Sequence, residues 1–126
     1  MSIQRIDLNP PEWEFTFSNA IVAGNFIFTS HHAGFDAENN RWPDTIEAQT
    51  VLCFQHLDHT LAAAGATLDD VVKTLVFFKN LEDFQGIRKV YQDTFKDGFP
   101  VRSAITTQFL DDECLIQIEA VAYKPQ

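Results

Sequence analysis

Arg102 and Glu119 are the pair of side chains in this sequence best suited to act on a small anionic substrate. Arginine offers a planar fork that grips a carboxylate through two parallel hydrogen bonds. A partly desolvated glutamate can hold a water or carry a proton. Arg102 alternates with Ala104, Thr106 and Gln108 on the polar parity of its run, and Glu119 occupies the same kind of position on the next run. Parity therefore places both charges on one side of adjacent strands. Spacing alone leaves two readings open: an ion pair at an interface, or a carboxylate clamp beside a glutamate that handles water.

The other candidates resolve into weaker signals. His31-His32 follow an extended run, and Cys53, His56 and His59 fall at i, i+3 and i+6 of a helical pattern. Neither a Cys-x-x-Cys nor a His-Glu-x-x-His spacing is present, so no metal site is expected and the histidines are read as solvated or interfacial. Ser30, Ser103 and Thr106 lack the Gly-x-Ser-x-Gly elbow of a hydrolytic triad. With five glycines and no glycine-rich phosphate loop, no nucleotide cofactor is indicated. Arg88 and Lys89 fit solvated-face charges paired with Asp83 or Asp93, or else a pocket role for Arg88.

The elements that must position these residues follow from periodicity. Ile3, Ile6 and Leu8 suggest a short first strand that Pro10-Pro11 ends. Residues 17–23 and 26–30 read as a hairpin turned by Gly24-Asn25, and 33–43 read as a loop anchored by Trp42. Asp44 with Glu47 forms a capping-box pattern opening a helix over 45–64, with Val51, Phe54, Leu57, Leu61 and Ala64 as its stripe and Gly65 as its stop. The β-branched run 71–79 predicts a central strand. Asn80 caps a second helix striped by Leu81, Phe84, Ile87, Tyr91 and Phe95, which Gly98 and Pro100 stop. Strands over 101–109 and 114–123 are joined by Asp111-Asp112-Glu113. The fold class is α+β, a mixed sheet with two helices on one face. On the last strand Ile116, Ile118, Ala120 and Ala122 face the helices. Leu115, Gln117, Glu119, Val121 and Tyr123 face away, and a half-apolar sheet face of that kind predicts a homo-oligomer.

The 126 residues form a single domain with apolar content sufficient for a core. Nine basic against eighteen acidic residues give a net charge of −9, which repels a phosphate backbone and argues against nucleic acid as a partner. No run is apolar enough for a membrane span or a signal peptide, and Cys53 and Cys114 sit in apolar patterns rather than a disulfide framework. A cytoplasmic protein is expected. The twelve phenylalanines serve packing first and pocket lining second.

Several separated motifs recur in one order over residues 17–123: Asn25-Phe26-Ile27-Phe28-Thr29-Ser30, Glu47-Ala48-Gln49-Thr50, the block from Ala62 to Thr74, Phe99-Pro100-Val101-Arg102-Ser103 and the run from Ile116 to Ala122. In these the chain resembles the Rid (YjgF) family of small enamine/imine deaminases, whose older members were labelled translation inhibitors or endoribonucleases. The resemblance implies a chorismate mutase-like fold, a homotrimer with pockets at the subunit interfaces and no cofactor. It implies hydrolysis of a 2-imino or enamine acid to a 2-keto acid and ammonia. Arg102 would clamp the carboxylate, Glu119 would position or protonate around the water, and Ser30 would line the pocket. The chain departs from the family pattern at Phe17 for tyrosine, His31 for glycine, Arg88 for asparagine and Ala104 for cysteine. Two consequences compete: a deaminase for a larger or dicarboxylate substrate, or a non-catalytic metabolite-binding or regulatory trimer. The net charge disfavours an RNase role.

Overall fold

The computed structural model describes residues 3–126. The strands are β1 (Ile3–Ile6), β2 (Ala20–Ala23), β3 (Phe26–Thr29), β4 (His32–Ala33), β5 (Val71–Phe78), β6 (Val101–Thr106) and β7 (Ile116–Tyr123), with helices α1 (Ile46–Ala63) and α2 (Phe84–Thr94). They form one seven-stranded sheet in the order β1-β2-β3-β7-β5-β6, with β4 pairing β7 beyond the end of β3. Only β5 and β6 run parallel, because α2 carries the chain back between them; every other pairing is antiparallel.

Alternation sets the two faces of this sheet. Val76, Phe78, Ile116, Ile118 and Ala120 are buried towards the helices, which supply Phe54, Leu57 and Leu61 from α1 and Ile87, Val90 and Tyr91 from α2. Edge-to-face contacts of Phe54 with Tyr91 and Phe95, at 5.2 and 5.3 Å between centroids, lock the helices together. Both helices lie on one face, as expected from the pattern. The expected hairpin forms at β2–β3, with Gly24 at φ 62° making the turn that a side chain would strain. Trp42 does anchor its loop, standing edge-on to Phe35 at 5.2 Å while its indole N–H donates to Asp111.

Several expectations are corrected. Thr45, not Asp44, caps α1: its hydroxyl accepts the Ala48 amide at 3.2 Å, a register that drives Ile46 into the core. The buried side of α1 includes Gln49, Thr50 and Thr60, whereas Val51 is exposed. Asn80 makes no side-chain cap, and a 3₁₀ turn over Leu81–Asp83 precedes α2, leaving Leu81 in solvent. Leu115 precedes β7 and packs against the core instead of the open face. Residues 101–109 pair only as far as Thr106, and β6 does not neighbour β7, since β5 lies between them. Cys53 and Cys114 are buried, unpaired thiols that both donate to the Ile116 carbonyl, and burial raises the pKa of each. Among the described residues no helix is long and apolar enough to cross a membrane.

Candidate functional site

Arg102 stands on the edge strand β6, in register with Thr74 of β5. Neighbouring residues of a parallel pair share a face, and Thr74 is fully buried under α2, where its hydroxyl meets the Tyr91 hydroxyl at 2.7 Å. Arg102 therefore points to the helix side of the sheet. Its guanidinium carbon lies 5.1 Å from the ring centroids of both Phe84 and Tyr91. Cation–π attraction thus orients the fork from below without neutralising it. Burial pushes the Tyr91 hydroxyl up to about 12, against the opposing pulls of the Thr74 bond and the Arg102 charge, so the hydroxyl stays protonated at neutral pH.

Above Arg102 opens a cavity of about 390 Å³ lined by Arg88, Tyr91, Gln92, Phe99, Pro100 and Arg102. Arg88 reaches it from α2, and its Nη1 donates to the Gln85 side-chain oxygen at 3.2 Å. The ion pairs among the described residues are Lys89 with Asp93 and Lys124 with Asp70, and neither involves Arg88 or Arg102. Of the two partners expected for these basic residues, Asp93 takes Lys89 and Arg88 is left to the pocket. Ala104 follows Arg102 by two positions and shares its face, so a small side chain flanks the fork.

Glu119 does not join this cavity. It lies on β7 in register with Leu75, on the parity opposite to buried Ile118 and Ala120, and so faces the open side of the sheet. There it lines a hollow of about 110 Å³ with Lys73, Leu75 and Val121. The expectation that Arg102 and Glu119 occupy one side of adjacent strands is thereby overturned. The intervening β5 and the opposite parity put them on different faces of one chain.

Phe17, Ser30 and His31 gather at the break between β3 and β4. Phe28 pairs with Val121 and His32 with Ile118, so three residues oppose Glu119 and Ala120 and form a bulge. The Thr29 hydroxyl accepts the Ala120 amide at 3.0 Å in place of a ladder carbonyl. Ser30 is tied to the Asn19 carbonyl through both its amide and its hydroxyl. His31 is exposed against Phe17 at 5.9 Å, and Phe17 stacks in turn on Phe15 at 5.3 Å. The site residues thus fall into two groups: Arg88 and Arg102 lining the cavity, with Ala104 on the same strand face as Arg102, and Ser30 and His31 at the bulge opposite Glu119, with Phe17 packed against His31.

The histidines are not all solvated. His32 is buried, its Nδ1–H donating to the Ser30 carbonyl at 2.8 Å and its Nε2 accepting from the Thr60 hydroxyl at 2.7 Å, an arrangement that one neutral tautomer satisfies. Burial lowers its pKa, the Ser30 bond opposes that, and nearby His56 and His31 add to the lowering. His56 bonds the Phe35 carbonyl. Among the described residues no three His, Cys, Asp or Glu side chains converge as metal ligands do. Sequence reasoning missed the supports of Arg102. Phe84 and Tyr91 read only as core stripe, although a tyrosine among apolar positions carries a hydroxyl that needs a buried partner.

A family model described as Endoribonuclease L-PSP matches residues 8–124. A RutC family protein of Pyrococcus abyssi is 38% identical over 109 residues, covering 86% of each chain. A 2-iminobutanoate/2-iminopropanoate deaminase of Dermatophagoides farinae is 31% identical over 126 residues, covering 96% of this chain and 97% of its own. Among solved structures, a YjgF/YER057c/UK114 family member of Mycobacterium tuberculosis superimposes with a TM-score of 0.85 at 26% identity, covering 97% of this chain and 99% of that one. The YjgF gene product of E. coli gives 0.78 at 30% identity, covering 85% and 87%.

Proposed function

This chain belongs to the Endoribonuclease L-PSP family, the Rid or YjgF/RutC group, and from that premise we propose that it hydrolyses 2-imino and enamine acids to 2-keto acids and ammonia. The observation that carries the reading is Arg102, a guanidinium aimed into a cavity by aromatic faces and left, among the described residues, without a carboxylate partner. Such a fork is free to take a carboxylate from a ligand through two parallel hydrogen bonds. The relative named for imine deamination supplies the reaction class, and a net charge of −9 opposes the approach of RNA that the family description would suggest.

In the reaction the substrate carboxylate docks on Arg102, which fixes the adjacent C=N carbon. Water adds to that carbon, its proton passes to the nitrogen, and collapse of the carbinolamine expels ammonia and leaves the ketone. Orientation, one proton carrier and exclusion of bulk water suffice for this. No cofactor enters the scheme. Glu119 serves as the proton carrier and water-positioning group and is brought to Arg102 by a second copy of the chain, a reading supported by its place on the opposite sheet face of its own chain. The open face bears Phe26, Phe28, Tyr123, Val101 and Ile105, all exposed, and association over it as a homotrimer would cover them and assemble composite pockets. Ser30 and His31, which lie across the ladder from Glu119, and Phe17, which packs on His31, line the same composite site.

A second reading has its own observation. Among the described residues no carboxylate or imidazole lines the cavity around Arg102, and Phe17 offers no hydroxyl, as befits a trimer that binds a metabolite without converting it. Ammonia and keto acid release from freshly generated imino acids separates the two. Acceleration is expected in the wild type, with kcat/KM falling about 100-fold in Arg102→Ala, the range of a charged hydrogen-bonded contact. An intact oligomer that accelerates no imine would establish the binding role instead.

A further inference from the structure

We infer that the Arg102 cavity selects ligands carrying two carboxylates, with Arg102 holding the one beside the reacting carbon and Arg88 holding the second. The chemical step rests on the imine-hydrolase reading; the binding preference stands without it. The chain has four arginines, Arg5, Arg41, Arg88 and Arg102, and two of them line this one cavity despite the net charge of −9. Each is oriented by a neutral group. Gln85 accepts from Arg88 Nη1, and the rings of Phe84 and Tyr91 lie under Arg102. Neutral partners fix direction while leaving the whole charge available, whereas a carboxylate partner would have spent it. Among the described residues neither guanidinium has such a partner.

Two like charges sharing one concave wall repel one another, and a ligand with two negative groups relieves that repulsion as well as making its own contacts. The form of the wall argues for a carbon skeleton over a compact inorganic anion. The arginines arrive from different elements, α2 and β6, and Phe99, Pro100 and the Tyr91 ring supply apolar surface alongside them. Gln92, one helical turn beyond Arg88, adds an amide that can donate or accept. A cavity of about 390 Å³ accommodates a five- or six-carbon diacid, for which these are the complementary groups.

Calorimetric titration of the whole protein with 2-oxoglutarate, 2-oxobutanoate and inorganic phosphate at fixed ionic strength tests this without requiring turnover. The dicarboxylate is expected to bind at least about tenfold more tightly than the monocarboxylate, the low end of one added charge-assisted contact. Arg88→Gln should collapse that ratio to about twofold or less, and Arg88→Lys should restore part of it, because a point charge replaces a fork. Equal affinity for the two keto acids, a ratio indifferent to Arg88→Gln, or phosphate binding as tightly as the dicarboxylate would overturn the inference. Imines prepared from glutamate and from 2-aminobutyrate then report on the reaction. A preserved binding ratio with no turnover of either refutes the hydrolase and leaves the diacid site standing. Turnover of both that depends on Arg102 but not on Arg88 refutes the diacid preference and leaves the hydrolase.

Discussion

Because aromatic rings and not carboxylates orient Arg102, substitutions beneath it separate binding from stability. Phe84→Leu keeps the apolar bulk but removes the π-face, and keto acid affinity is expected to fall about three- to tenfold, the worth of a partly exposed cation–π contact. Tyr91→Phe keeps the ring but strands the buried Thr74 hydroxyl, so its larger effect should be a loss of about 1–2 kcal/mol in urea unfolding. His32 gives a pH dependence. Burial lowers its native pKa, so the unfolded chain, at about 6.5, takes up the proton more readily. Stability is therefore complete above about pH 6.5, declines as the pH falls below it, and stops declining from this source once the native value is passed. Thermal unfolding from about pH 8 to about pH 5 should show that step in the wild type and lack it in His32→Gln. Arg102 itself was legible in the sequence, since a lone guanidinium on strand parity is conspicuous. Its aromatic supports were not, because Phe84 and Tyr91 satisfy a helical core stripe equally well.

At the scale of elements, the joint between α1 and the loops around it depends on one side chain. Gln49 is fully buried, donates to the carbonyls of Pro43 and Glu113, and accepts the Leu115 amide at 2.8 Å. Gln49→Ala would strand all three groups, and a loss of about 3 kcal/mol by denaturant unfolding is expected. Gly34 packs directly on the backbone of Gln49, where a Cβ would overlap the Gln49 carbonyl, so Gly34→Ala should push the 33–43 loop off the helix and lower Tm. Periodicity had placed both helices and most strands, since their apolar residues repeat at the spacing of the element. It could not reveal that β6 and β7 are separated by β5. The connection 107–115 is compatible with a hairpin or with a strand-skipping return, and nothing in its composition distinguishes them. The short β4 escaped notice because two residues carry no alternation, and its pairing is set by the partner strand β7.

For the whole molecule, the decisive surface is the open sheet face, where Phe26 meets Tyr123 at 5.2 Å and Phe28 at 6.4 Å in solvent. Phe28 is 47% exposed in one chain and absent from the core, so Phe28→Glu should preserve the fold by circular dichroism. On the proposed homotrimeric deaminase, the variant is expected to sediment as a monomer and to lose imine turnover, while a variant whose assembly and activity match the wild type would place the interface elsewhere. Parity along β7 had exposed this face in the sequence, because Val121 and Tyr123 had no helix to meet. Helix α2 has a consequence on another timescale. It buries Ile87, Val90 and Tyr91 on one side and offers Arg88 and Gln92 to the cavity rim on the other. Positions at the rim can mutate without crossing the stability threshold that constrains the buried ones. A lineage built on this scaffold can therefore exchange one ligand for another in single substitutions on α2, while Arg102, in its proposed role, keeps hold of the carboxylate common to them all.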